Sequence, residues 1–388
     1  MNQGKYVFAQ LIEFIQQRVF DRFVSKYKGN YKVRHFTCWN QMLCLMFGQL
    51  SGRESLSDLV LSINAHHSKT YHLGFGRSVS KANLAKANER RAWRIFADFA
   101  YYLIEQARGI CINDSDFQID LIGSVYAFDS TIIDLCLSVF WWAKFRKGKA
   151  AIKLHTLFDI KTSIPSFIHV TEGLLHDVHG LDMLFYEAGS FYILDRGYVD
   201  YERLYTIYSQ KAFFIIRAKD NLCFNRIYSN KCNKPSGVKC DQIGKLKGFY
   251  VSKKYPEKLR RIKFYDEENN RVLIFLSNNF ELKAEQIALL YKYRWKVELF
   301  FKWIKQHLKI KSFWGTSSNA VKIQVYIAII TYTLVAIIKS QLKIEYSTYE
   351  ILQILGLSLL DKTPINELLT IPKYQNVKEL YCNQLKIF

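Results

Sequence analysis

Three acids and one basic helix carry the chemistry that this sequence can perform. Asp129 ends a strand-like run in "YAFDST", and Asp195 ends another in "YILDRG". Glu298 is the one carboxylate in "YKYRWKVELFFKWIK", residues 291–305, where it stands among cations and aromatics. Carboxylates at the ends of neighbouring strands, with a third from a helix packed across them, can converge in one cleft. Acids bunched in this way repel one another unless divalent cations lie between them, and hard oxygen donors suit Mg²⁺. Two such ions about 4 Å apart activate an attacking oxygen and stabilise the leaving oxygen of a phosphodiester. Asp at a strand end also caps turns, so position alone leaves both readings open.

The helix adds a second feature. At about 100° per residue, Tyr291, Arg294, Glu298, Lys302 and Lys305 fall within one arc of about 80°. Tyr293, Val297, Phe300 and Ile304 fall on the other side and are expected to face the sheet. The polar arc offers a phenol, a guanidinium and two ammonium groups around one acid. Arg grips a phosphate with two donors and Lys supplies point charge. The plainer reading is a solvated face with i,i+4 pairs, Arg294–Glu298 and Glu298–Lys302.

The elements that must position these groups follow from the rest of the chain. Residues 1–115 read as an all-α N-terminal domain, compatible with a helix-turn-helix DNA-binding domain. Apolar residues recur there at three- and four-residue intervals, and Ser80 to Gly109 reads as one basic helix. Arg90 and Arg94 on that helix are the candidates for reading bases. From 120 the pattern becomes β-β-β-α-β-α-β, with three antiparallel strands first and "HDVHGLDMLFYEAG" as the first helix. That order is the one a ribonuclease-H-like fold has, so residues 120–340 are expected to form an α/β catalytic core on a mixed sheet. Turn-rich and β-prone sequence over about 220–280 reads as an inserted β subdomain, and 341–388 as a C-terminal helical segment. Lys153 and His155 alternate with Ile152 and Leu154 on the second strand, so they share one face, toward DNA or the metal pocket. His176 and His179 flank Asp177 and read as loop polarity.

Composition sets the bounds. A chain of 388 residues that is 49% hydrophobic and 15% aromatic is not disordered and can bury a large core. Its 55 Lys and Arg against 34 Asp and Glu, a formal +21, predict a polyanionic partner. The eight cysteines form no CxxC pair and fit reduced thiols in the cytoplasm. The longest apolar run, between Lys322 and Lys339, is too short to span a membrane and reads as a core helix.

At this point the residues resemble a known family. Tyr291-x2-Arg294-x3-Glu298-x6-Lys305 matches the YREK signature of bacterial insertion-sequence DDE transposases, the insertion-sequence-four family. "FDST", "KLHTLFD", "ILDRGY" and "LKIKSFWGTS" resemble its flanking words, and the resemblance covers essentially the whole chain. It implies a transposase that cuts at transposon ends and joins the freed 3′-hydroxyl to target DNA. Asp129, Asp195 and Glu298 would hold two Mg²⁺ ions, or Mn²⁺. Tyr291, Arg294 and Lys305 would grip the end. The implied partners are double-stranded DNA (terminal inverted repeats and target) and a second copy in a homodimer, in the bacterial cytoplasm at the nucleoid, with no membrane. Relatives that pass through a DNA hairpin set an aromatic from the β insertion against a flipped base. This chain has no Trp between Trp142 and Trp295, which leaves Phe275, Phe280 or Tyr250 for stacking. A silent DNA-binding descendant and a nuclease that cuts without joining are the alternatives.

Overall fold

A computed structural model describes residues 4–76, 78–112, 117–147, 149–307 and 313–371. The N-terminal helices are α1 (Val7–Glu13), α2 (Gln17–Lys26), α3 (Cys38–Leu50), α4 (Leu56–Ala65), α5 (Lys81–Arg90) and α6 (Arg94–Cys111). Thr37 and Asn40 cap α3 reciprocally. The single helix expected from Ser80 to Gly109 is interrupted at residues 91–93. Arg91 leaves the helical conformation, and its guanidinium reaches the carbonyls of Phe36 and Thr37 and the side chain of Gln41.

The strands are β1 (Val125–Leu135), β2 (Lys144–Arg146), β3 (Lys149–Asp159), β4 (Ile164–Glu172), β5 (Phe191–Leu194), β6 (Phe213–Arg217), β7 (Phe224–Ser229), β8 (Val238–Leu246), β9 (Leu259–Asp266) and β10 (Arg271–Ser277). They join one sheet in the order β2-β3-β1-β5-β6-β10-β9-β8-β7, with β4 also on β3. The segment β4-β3-β1-β5-β6 has β1, β5 and β6 parallel and β3 and β4 antiparallel, the mixed sheet expected of a ribonuclease-H-like core. β3 is buried along nearly its whole length, set between β1 and β4 with α10 on one face and the segment of Leu175 and Asp177 on the other. Gly123 (φ +94) lets the turns before β1 and β5 touch, since a Cβ there would stand 2.7 Å from the Gly189 carbonyl oxygen.

Two expectations change here. "HDVHGLDMLFYEAG" forms only a 3₁₀ segment, Asp177–Met183. The inserted β strands do not stand apart, because β10 pairs with β6 and continues the central sheet.

The remaining helices are α7 (Tyr201–Ser209), α8 (Phe249–Lys254), α9 (Ala284–Tyr293), α10 (Trp295–His307), α11 (Ser318–Gln341), α12 (Thr348–Ser358) and α13 (Ile365–Leu368). Ser317 caps α11, the apolar run of the sequence, which is buried almost throughout as a core helix. α11 lies against α3, α5 and α6, so the N-terminal helices and the sheet share one apolar core. Arg108 of α6 reinforces that union, bonding Asp159 (3.0 Å) and the Tyr126 hydroxyl (2.7 Å). The C-terminal segment expected over 341–388 is described to residue 371, and the rest lies outside the described residues.

Candidate active site

Strand register brings the first two acids together. β1 and β5 run parallel and pair through Phe128 and Leu194. Asp129 and Asp195 are each the next residue, so both carboxylates leave adjacent strands at the same level. Asp195 follows the end of β5, whereas Asp129 does not end its strand as expected: β1 runs on along β3 to Leu135, and only its parallel pairing with β5 stops at Phe128. Glu298 comes in from the first turn of α10, where the helix dipole favours an acid. Val297, Phe300 and Ile304 anchor that helix by burial, and Phe300 lies 5.2 Å from the ring of Phe158 on β3.

The helix expected over 291–305 is two helices, with Arg294 at the joint. Arg294 keeps a helical conformation there, and its guanidinium, on the arc it shares with Glu298, faces the carboxylates. It donates to Asp129 Oδ2 (3.2 Å) and to Glu298 Oε1 (2.6 Å), and its Nε–H is buried without a partner. Tyr291 is buried on Phe275 (ring centroids 4.7 Å), and its hydroxyl donates to Asp195 Oδ1 (3.0 Å). All three acids are thus engaged by the Tyr291–Glu298 stretch.

Asp129 Oδ1 accepts from its neighbour's backbone, Ser130 N–H (2.8 Å), and from the Tyr198 hydroxyl (3.4 Å). Burial pushes the Asp129 carboxyl up to about 6; Arg294 and the Ser130 N–H pull it down, while Glu298 and Asp195 push it further up. Burial also raises the Tyr291 phenol to about 12, with Asp195 adding to the rise against Arg294, so it stays a neutral donor.

The donor set is three carboxylates, which are hard oxygen ligands. Among the described residues no three His, Cys, Asp or Glu side chains already lie close enough to enclose an ion. Arg294 places positive charge between Asp129 and Glu298.

The other sequence candidates separate. Lys302 is exposed one turn beyond Glu298, and Lys305 is half-buried with a side-chain interaction of its own. Arg90 and Arg94 are exposed, and Arg94 lies over the Trp93 ring (5.0 Å). Lys153 and His155 do not present an open face to DNA, because they are buried where the Asp177–Met183 segment covers the sheet. Lys153 Nζ bonds the Leu175 carbonyl (2.6 Å) and Asp177 (2.9 Å), and His155 Nε2 meets the Thr171 hydroxyl (3.0 Å). Burial lowers His155 to about 4, so it stays neutral. Of the candidate stacking aromatics, Phe275 is in the core, while Tyr250 and Phe280 are exposed. Tyr198 and the Ser130–Asp177 pair were not singled out from the sequence. Tyr198 was signalled only by its place three residues after Asp195.

Comparison with known proteins adds the following. Residues 121–334 match the family described as "Transposase DDE domain", and residues 3–76 match a domain of unknown function (DUF4372). The protein y4zB of Sinorhizobium fredii, provisionally named a transposase, is 33% identical over 66% of this chain and 70% of its own. A protein of Geobacillus stearothermophilus, named as the transposase for insertion sequence element IS5377, is 32% identical over 55% of this chain and 56% of its own. Among solved structures, a piggyBac transposase synaptic complex with hairpin DNA aligns over 97% of this chain and 80% of that one, at 12% identity and a TM-score of 0.44.

Proposed function

We propose, because the chain belongs to the transposase DDE domain family, that Asp129, Asp195 and Glu298 are the carboxylates with which it cuts and joins DNA. The protein is an enzyme acting on DNA, a DNA transposase. What supports the assignment of residues most is register: Asp129 and Asp195 follow the paired Phe128 and Leu194, with Glu298 facing them and tied to Asp129 through Arg294.

Family membership implies a divalent metal. The all-carboxylate donor set fits Mg²⁺ or Mn²⁺, and Asp129, Asp195 and Glu298 would hold two such ions. Bound there, they would activate the attacking oxygen, first of water and then of the freed 3′-hydroxyl, and offset charge on the leaving oxygen. The chain's own groups set up that chemistry. Tyr291 fixes the rotation of Asp195 by one hydrogen bond. Arg294 balances Asp129 and Glu298 while they lie side by side. Lys302, exposed on the turn after Glu298, supplies point charge for a phosphate, and Lys305 continues that side of α10. Two copies holding two transposon ends would form the joining complex. Residues 1–115, with Arg90 and Arg94, would bind the ends, and 120–340 would act on them.

The test is strand transfer in Mg²⁺ with labelled DNA carrying the element's own ends, wild type beside Glu298→Gln. Joined product from wild type only, with equal DNA binding by both, supports the assignment. Cleavage without joining indicates a nuclease. Binding with no reaction by either protein indicates a silent descendant.

A further inference from the structure

We propose that Asp177, Ser130 and Lys153 form a positioning relay that sets the carboxylate of Asp129 from the opposite face of the sheet. This rests on the reading of Asp129 as a catalytic acid. Side chains alternate across a strand, so Asp129 faces α10 while its neighbour Ser130 faces the Asp177–Met183 segment. On that second face Ser130 pairs with His155, and Lys153 lies two residues further along β3. The Ser130 hydroxyl donates to Asp177 Oδ1 (2.7 Å), and Lys153 Nζ stands 2.9 Å from the same oxygen. Lys153 is buried and therefore needs that counter-charge. The ion pair in turn holds Asp177 against β1, although Asp177 itself is half-exposed.

With its side chain fixed in this way, Ser130 can turn little, and its backbone N–H points at Asp129 Oδ1 at 2.8 Å. The influence passes through the main chain, and Asp177 never touches the acid it positions. Groups that orient metal-holding carboxylates typically change activity or metal affinity by about 10–100-fold when removed. Neither Asp177 nor Ser130 is required by the three-acid assignment itself.

The experiment compares Ser130→Ala, Asp177→Ala, the double variant and Ser130→Thr in single-turnover joining at saturating end DNA. Mn²⁺ affinity is measured by calorimetry and DNA affinity by gel shift. Each Ala variant is expected to slow joining about 10–100-fold and to weaken Mn²⁺ binding, with unchanged DNA affinity. Because both act along one path, the double variant is expected to be no slower than the slower single, and Ser130→Thr should recover most of the rate. Additive losses, a loss that follows DNA affinity, or wild-type rates and Mn²⁺ binding in both singles would overturn the relay. Should Asp177→Ala fail to fold with Lys153 unpaired, Ser130→Ala against Ser130→Thr decides by the same measures. Asp129→Asn keeps the two readings apart. If it still joins DNA, the three-acid assignment is wrong. If it is inactive while the Ser130 variants match wild type, only the relay fails.

Discussion

Arg294 serves two carboxylates at once, so its removal measures how strongly they repel. Arg294→Ala leaves Asp129 and Glu298 facing each other without a cation, in a site from which water is largely excluded. A loss of about 2–4 kcal/mol is expected in EDTA, less than for a fully buried pair because Glu298 keeps some contact with water. Mn²⁺ should raise the melting temperature of the variant more than that of wild type, which thermal unfolding with and without metal checks. Asp129 gives a second expectation, from its carboxyl held at about 6 instead of the usual 3.8. A folded value above the unfolded one means the folded chain holds the proton more tightly. The stability this contributes is complete below about 4 and is lost as pH rises through about 6. Without metal, Asp129→Asn should therefore melt above wild type at pH 7, with the gap closing as pH falls from about 6 to about 4. These acids were legible because each interrupts an apolar or basic pattern where little else explains it. Asp177 was not, because a loop Asp between two His looks like ordinary polarity until Ser130 and Lys153 arrive from other strands.

At the scale of elements, two side chains extend the junction between β6 and β10: the Ser277 hydroxyl donates to the Phe214 carbonyl (2.7 Å), and Asn278 does more. Asn278 accepts from the Phe214 N–H (2.7 Å) and donates to the Ala212 carbonyl (2.8 Å), carrying the ladder one rung past the last paired residues. Asn278→Ala strands both buried backbone groups, and a loss of about 1–3 kcal/mol is expected in denaturant unfolding. The strands of the core were readable because their apolar runs are short and bounded by turns. The pairing of β10 with β6 was not, since periodicity reports which face is buried and never which neighbour supplies the hydrogen bonds. Helix breaks were hidden for a related reason. Arg91 and Arg94 are both compatible with a helix by type; what bends the chain at Arg91 is a set of carbonyls from residues 36 and 37. Arg294 involves no such bend, since it stays helical, and its importance comes from Asp129 lying within reach of its side chain.

Across the whole molecule, α11 decides what can be separated from what. The apolar run read as too short to span a membrane lies in a helix of 24 residues that is long and apolar enough to cross one, and it stays covered because α3, α5 and α6 lie along it, with Trp93 stacked on Tyr326 at 5.6 Å. A chain lacking residues 1–112 should expose that surface and aggregate, which soluble yield and size-exclusion chromatography check. The joined sheet has a different consequence. Because the inserted strands continue the sheet beside the strands that lead to Asp129 and Asp195, its far edge stands at a set distance from both acids. Five inter-strand steps separate β5 from β7, and at about 4.8 Å each they set a span of about 24 Å. That offset is ruled by backbone hydrogen bonds, and changing it would take the gain or loss of a whole strand.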